Sequence, residues 1–180
     1  MTEAIRLIQG VTTPSQVNRI IDWNYERNEL VLDSNLEINM LAEEAKEYFD
    51  AKTFVDRVDA VCDIIFVGVG TLAKTANAYH LSAKELFAPI DFILTDFVGR
   101  VEAEGLNSDV FMQMLGESLD AVISANEEKG TEKTPDGKIK KPEGFVPPED
   151  RITDIIEKYK AISQSAGAGD MGQVFPEGGN

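Results

Sequence analysis

The sequence predicts an all-α protein, and three observations lead to that prediction. Apolar residues recur at helical spacing along most of the chain, and cap-like residues stand where these stretches begin. Apart from a short extended piece at 30–32, no segment shows the alternation expected of a strand. With 180 residues and 43% hydrophobic content, the chain suits one globular domain, which we place at 1–163.

Six helices are predicted in chain order. Thr13-Pro14 opens the first, as a cap followed by proline at the first helical position, and this helix reaches about Arg27. Ser34 begins a capping-box pattern that opens the second helix, which extends to about Ala51. The third is apolar on most sides, as expected for the centre of a bundle. It and the remaining helices are placed at 53–79, 82–105 (after a capping box that starts at Ser82), 108–127 and 149–162.

Two segments lack helical patterning. Residues 129–148 are rich in Gly, Pro and Lys and contain the turn signal Asp136-Gly137, which predicts a long loop. Residues 164–180 are rich in glycine, and we expect them to form a flexible tail.

Charge and cysteine content restrict the classes of function. The net charge of −15 argues against sequence-independent binding to nucleic acid, and an anionic substrate would need bridging cations or a local basic element. The start of the chain does not resemble a signal peptide, and no apolar run reaches the length of a membrane span, so we expect a cytoplasmic protein. Cys62, the only cysteine, cannot form an intrachain disulfide and suits a buried structural thiol.

Five acidic side chains form the main functional pattern. Glu44 and Glu47 face the same way on the second helix, and Asp56, Asp59 and Asp63 share one stripe of the third. Carboxylates among apolar residues are costly to desolvate unless a hard divalent cation neutralises them. We expect the first four to surround one Mg²⁺ or Mn²⁺, while Asp63 holds a second ion or positions an attacking water. Other acids are interpreted as solvated, namely Glu37, Glu43 and Asp50.

Several neighbouring residues have two interpretations each. The glycines of Gly68-Val69-Gly70-Thr71 suit tight helix packing at least as well as contact with a nucleobase or sugar. Trp23 and Tyr25 could stack on a base, but a core role is favoured for both. His80, the lone histidine, is assigned a structural or capping role.

Together these residues resemble the MazG-like superfamily of all-α nucleoside triphosphate pyrophosphohydrolases. Glu43-Glu44-x-x-Glu47 followed by Asp56-x-x-Asp59 is similar to the superfamily's E-E-x-x-E and E-x-x-D, although its glutamate is replaced by the shorter Asp56. The segment 78–105 is also longer than usual. A downstream string resembles the tail of a phage and bacterial subgroup: Asn126-x-x-Lys129, Asp136-Gly137-Lys138, Lys141-Pro142, Gly144-Phe145 and Pro147-Pro148.

The resemblance implies a helical bundle completed by oligomerisation, as a homodimer or homotetramer. It implies hydrolysis of an NTP or dNTP at the α–β phosphoanhydride to a monophosphate and pyrophosphate, controlling a nucleotide pool, with dGTP as one candidate substrate. The chain would act in the cytoplasm, which is the host's if a phage encodes it. Mg²⁺, replaceable by Mn²⁺, would bind Glu44, Glu47, Asp56 and Asp59, with Asp63 as an extra ligand or partner of the attacking water. Phosphate contacts would come from Asn126, Lys129, Lys138 and Lys141.

Two other classes of function stay open. A strongly acidic helical protein can imitate the charge of DNA and bind a nucleic-acid-binding partner, in which case its carboxylates should cover the exterior. A nucleotide sensor would keep the site and lack turnover, and the substitution at Asp56 is compatible with that. The lysines of 138–141 suit an ordinary solvated loop as well as a lid over phosphate.

Overall fold

The computed structural model of the chain describes residues 3–78, 83–135 and 137–168, and these residues confirm the all-α prediction. Within those ranges there is no strand, only one isolated antiparallel bridge between Lys133 and Ile139. No helix among them is long and apolar enough to cross a bilayer. The helices are α1 (Glu3–Val11), α2 (Pro14–Asn28), α3 (Ser34–Asp50), α4 (Phe54–Ala78), α5 (Ala83–Ala103), α6 (Ser108–Glu127) and α7 (Glu149–Ala168).

Helix α4 lies at the centre of the bundle, as its all-round apolar character predicts. It packs against α2, α3, α5, α6 and α7. Its Val58, Val61, Ile64 and Ile65 are completely buried. Full burial of such a side chain stabilises a fold by about 1.5–3 kcal/mol, so this stripe anchors the helix that carries Asp59 and Asp63.

The starts of α2 and α3 show how capping sets the helix boundaries. Thr13 caps α2 with Pro14 at the first helical position, as predicted, and the Gln16 side chain completes a capping box. The prediction that Ser34 caps α3 is wrong by one residue. Asp33 is the cap, and its Oδ1 accepts hydrogen bonds from the amides of Asn35 and Leu36. A carboxylate at this position also interacts favourably with the helix dipole.

Helix α1 was not expected from the sequence. It is short, and it buries Leu7, Ile8 and Val11 where it packs against α5 and α6. At the other end of the chain, α7 continues to Ala168, beyond the predicted end at Ile162.

The short extended piece predicted at 30–32 forms no strand, and at Leu30 the prediction of an extended backbone is wrong. Glu29 and Leu30 adopt left-handed backbone angles, with φ of 52° and 54°, which end α2 in a turn. His80, the capping box at Ser82, Asp136 and the predicted tail after residue 168 lie outside the described residues.

The segment between α6 and α7 is the predicted long loop, and α2 holds its beginning in place. The Arg27 guanidinium donates hydrogen bonds to the carbonyls of Lys129, at 2.5 Å, and Gly130, at 3.1 Å. The same guanidinium lies 4.3 Å from the centre of the Trp23 ring. This anchoring brings the lysines of the loop next to α3 and α4.

Candidate functional site

Helices α3 and α4 run antiparallel and place the predicted carboxylates opposite one another. The three residues between the helices form a tight connection, so Glu44 and Glu47 of α3 face Asp59 and Asp63 of α4. Asp63 and Glu47 are the two charged neighbours that raise the pKa of Glu44 most. The structure therefore brings together four of the five acidic residues that the sequence singled out.

The pKa values of Glu44, Asp59 and Asp63 are displaced upward. Burial, followed by the charges of Asp63 and Glu47, raises the pKa of Glu44 to about 9. Burial and the charge of Asp63 raise the pKa of Asp59 to about 8, and burial raises that of Asp63 to about 6 although lysines oppose the shift. In its charged form each of these carboxylates is poorly solvated and is repelled by the neighbouring carboxylates, and a bound cation would offset both costs.

A fifth carboxylate, which the sequence did not indicate, comes from the first residue of α7. Glu149 is among the charges that raise the pKa of Asp59 and Asp63. An acidic residue in a first helical turn is common for dipole reasons alone, so no local signal marked it. Only the packing of α7 against α4 brings Glu149 to the other four carboxylates. We call Glu44, Glu47, Asp59, Asp63 and Glu149 the acidic cluster.

Three oxygens of the acidic cluster are buried and accept no hydrogen bond. They are Oε2 of Glu44, Oδ1 of Asp59 and Oε2 of Glu149, one from each of α3, α4 and α7. Buried polar atoms in proteins nearly always have a partner. In the described part of the chain, no three acidic, histidine or cysteine side chains converge closely enough to ligate one ion. The donor set consists of carboxylate oxygens, which suits a hard divalent cation once these side chains close around it.

Asp56 is not brought into the acidic cluster. Its Oδ2 accepts hydrogen bonds from the amides of Lys52 and Thr53, and its own amide donates to Thr53 Oγ1. Slight desolvation opposes these hydrogen bonds, yet the net effect is a lowered pKa of Asp56. The residue is exposed and forms a capping box with Thr53 at the start of α4, so it stabilises the helix start and is not a member of the cluster.

Asn126 and Lys129 lie together, and the asparagine orients the lysine. Lys129 Nζ donates a hydrogen bond of 2.7 Å to Asn126 Oδ1, while Asn126 Nδ2 donates to the carbonyl of Val122. Burial lowers the pKa of Lys129, and the charge of Asp63 opposes that shift. Lys129 is therefore a cation that faces the acidic cluster, and Asn126 positions it.

The other two predicted lysines, Lys138 and Lys141, line the same cavity as Lys129. Lys141 Nζ is 5.3 Å from the centre of the Phe145 ring, and Lys129 Nζ is 5.4 Å from it, so one aromatic ring holds both cations. Lys138 forms an ion pair with Glu43. Glu43 was interpreted as solvated, and it is half exposed but paired.

A cavity of about 520 Å³ lies beside these groups, and Glu44, Glu47 and Asp63 are the members of the acidic cluster that line it. Lysines of the loop line the same cavity. Volumes of this order accommodate a nucleotide-sized ligand. The charged and polar lining includes Glu44, Glu47, Asp63, Asn126, Lys129, Lys138 and Lys141.

Glu37 was interpreted as solvated, and this is wrong. Its side chain is 1% exposed and accepts hydrogen bonds from Lys74 Nζ, at 2.6 Å, and Thr71 Oγ1, at 2.7 Å. Helical periodicity could not reveal this, because the partner cation lies on another helix. Both Glu37 and Lys74 line the cavity.

Close helix packing accounts for Gly70. A Cβ at this position would lie 2.6 Å from Nδ2 of Asn24 on α2, so any larger residue would have to displace the buried side chain of Asn24. Nδ2 of Asn24 donates a hydrogen bond to the carbonyl of Ile20, and Asn24 lines the cavity. The packing interpretation of this glycine is thus confirmed, and it also brings Asn24 to the cavity.

The aromatic residues of α2 have different environments. Trp23 packs edge-on against Phe66, with ring centres 5.2 Å apart, and donates a hydrogen bond to the carbonyl of Asn126. Trp23 also lines the cavity. Tyr25 is 60% exposed, so its predicted core role is wrong. Cys62 is buried as expected.

Comparisons of the chain with protein-family models, curated proteins and solved structures find no significant match.

Proposed function

We propose that the protein is a metal-dependent hydrolase of nucleoside triphosphates, cleaving an NTP or dNTP at the α–β phosphoanhydride to a monophosphate and pyrophosphate. One observation carries the proposal: three carboxylate oxygens from three helices are buried without hydrogen-bond partners, in a cluster whose Glu44 lines one cavity together with lysines of the loop. The choice of this reaction rests on the resemblance of the acidic motifs to MazG-like pyrophosphohydrolases. The side chains of the site support the choice, because carboxylates suit divalent cations and lysines suit phosphates.

Glu44, Glu47, Asp59, Asp63 and Glu149 are the residues that would hold divalent cations. Mg²⁺ or Mn²⁺ bound there supplies neutralisation of phosphate oxygens and acidifies a water molecule. Burial and neighbouring carboxylates raise the pKa of Asp63 and the charge of Lys129 lowers it, and in its charged form Asp63 can accept a proton from an attacking water.

Lys129 and Lys141 would bind the phosphate chain. Asn126 and the ring of Phe145 restrict both ammonium groups to the mouth of the cavity. Cations held in place stabilise the negative charge that develops on departing pyrophosphate, because little reorganisation is needed during the reaction. This local basic element also offsets the repulsion between a chain of net charge −15 and an anionic substrate.

The distribution of carboxylates favours this function over DNA mimicry. A mimic would display its acids on the exterior, whereas here α3 and α4 direct acids with raised pKa values towards one another. A nucleotide sensor would bind the same ligand and release no products. The assay below therefore separates a sensor from an enzyme.

The test is incubation of the protein with Mg²⁺ or Mn²⁺ and each common NTP and dNTP, followed by quantification of monophosphate and pyrophosphate. We expect equal amounts of the two products from at least one nucleotide. Asp59→Asn should abolish the products in a folded protein, and Asp50→Asn, an exposed acid on α3, should leave the rate unchanged. Binding without products would favour the sensor, and neither binding nor products would overturn the proposal.

A further inference from the structure

The ion pair between Glu37 and Lys74 is the most deeply buried charged group of the cavity. Side-chain exposures are 1% for Glu37 and 3% for Lys74. A buried ion pair adds little net stability compared with apolar side chains of similar size. Stability by itself therefore gives little reason for a carboxylate and an ammonium group at this depth.

The pair retains capacity for further hydrogen bonds. Lys74 has three N–H donors, and among the described residues Glu37 is its one hydrogen-bond acceptor. The two oxygens of Glu37 accept one hydrogen bond each, from Lys74 and Thr71, and each oxygen has a second lone pair. Since Glu37 and Lys74 line the cavity, a ligand there can meet a donor and an acceptor side by side.

The position of the pair matches the base end of a bound nucleotide. Glu37 precedes Glu44 by seven residues on α3, which is about 10 Å along a helix that rises 1.5 Å per residue. A nucleotide whose phosphates lie at the acidic cluster would extend its base towards this end. Trp23 and Phe66 line the same cavity and offer aromatic surface for a base.

We propose that Glu37 and Lys74 determine base specificity, and that they select bases with a lactam edge: guanine, hypoxanthine, uracil or thymine. The inference rests on the proposed function for the placement of phosphates at the cluster. The ammonium group of Lys74 donates to the exocyclic carbonyl oxygen, and the carboxylate of Glu37 accepts from the neighbouring ring N–H. Guanine adds its amino group as a second donor to the same carboxylate.

Adenine and cytosine are disfavoured because they present the opposite order. Their exocyclic group is an amino donor and the neighbouring ring nitrogen is an acceptor, so an equally oriented base places donor against Lys74 and acceptor against Glu37. A site built to form hydrogen bonds discriminates strongly when its buried polar groups are left unpaired. Aromatic stacking and the phosphate contacts fix the orientation of the base.

The first experiment measures binding of the 5′-monophosphates dGMP, dTMP, dAMP and dCMP by titration calorimetry with Mg²⁺, which needs no turnover. We expect dGMP and dTMP to bind at least about tenfold more tightly than dAMP and dCMP. Preference for dAMP or dCMP, or equal binding of all four, would overturn the inference. Preferential binding of dGMP or dTMP without hydrolysis of any triphosphate would overturn the proposed function and leave this inference standing.

The second experiment uses Glu37→Gln/Lys74→Met, which removes both charges together and leaves neither unpaired. We expect the ratio of kcat/KM between lactam and amino bases to fall towards one, mainly through KM. A merely structural pair would change the melting temperature and preserve the ratio. The exposed pair Lys46–Asp50 on α3 provides the matched control, Lys46→Met/Asp50→Asn, which should change neither. If the first variant does not fold, Lys74→Arg keeps the charge and alters the donors, and an unchanged ratio in it would overturn the inference.

Discussion

Asp59→Asn should stabilise the metal-free protein at neutral pH while removing its response to metal. Oδ1 of Asp59 is buried without a partner, and burial and Asp63 raise the pKa of this carboxyl from 3.8 to about 8. At neutral pH the carboxyl group of Asp59 is therefore protonated in the folded protein and ionised in the unfolded chain. The stability linked to that proton is fully present below pH 3.8 and is lost as the pH rises towards 8.

The expected gain follows from the same shift. About three pKa units separate the ordinary value from pH 7, and at about 1.4 kcal/mol each they set a ceiling of about 4 kcal/mol. The side chain is partly exposed, so solvent screening reduces the expected gain to about 1–2 kcal/mol. For a chain of this size that corresponds to about 2–8 °C in melting temperature.

The assay is urea unfolding of wild type and Asp59→Asn with EDTA at pH 7 and at pH 4, followed by thermal melts with Mg²⁺ or Mn²⁺. We expect the variant to be the more stable at pH 7 and the difference to shrink at pH 4, where both side chains are neutral. Added metal should raise the melting temperature of wild type only, and more at pH 8 than at pH 6. Asp50→Asn should match wild type throughout. Lower stability of Asp59→Asn at pH 7, or an equal response to metal, would refute the reasoning.

Three further outcomes are expected. Asp56→Ala should lose about 1 kcal/mol of stability, because it removes half of a capping box. The variant should keep the metal-dependent rise in melting temperature. Loss of that rise would show that Asp56 is a metal ligand after all. Gly70→Ala should destabilise by about 1–2 kcal/mol in urea unfolding because its Cβ meets Asn24, whereas Gly99→Ala on α5, with open space around it, should stabilise by up to about 1 kcal/mol. Cys62 is buried with a raised pKa, so its modification by a thiol reagent should proceed at the rate of unfolding; rapid reaction under native conditions would contradict its placement.

Helix boundaries were largely predictable because they depend on nearby residues. Thr13-Pro14 marks the start of α2 through a local hydrogen bond and a fixed proline φ angle. Where two adjacent residues can both cap, as Asp33 and Ser34 can, local pattern did not decide between them. Helix α1 escaped prediction because a helix of 9 residues depends on tertiary packing for its stability.

The roles of the acidic residues were only partly predictable. Spacing on a helix shows which side chains share a face, and it correctly grouped Asp59 with Asp63. The same rule placed Asp56 with them, since it ignores the competing hydrogen bonds that the free amides of a helix start offer to a carboxylate. Spacing also failed for Glu37, which was predicted to be solvated and is buried, and for Tyr25, which was predicted in the core and is exposed. Whether a helical side chain is buried depends on which neighbouring helix covers it.

By itself, the sequence determined that this protein is helical, that α4 is its central helix and that carboxylates on α3 and α4 face one another. These follow from periodicity and short-range capping, which are properties of each segment. The tertiary structure decided that Glu149 joins the acidic cluster, that Asp56 does not, and that Glu37 and Lys74 form a buried pair in the cavity. The physical reason is that burial and charge pairing depend on residues distant in the chain, and burial is what sets a pKa or leaves an oxygen without a partner.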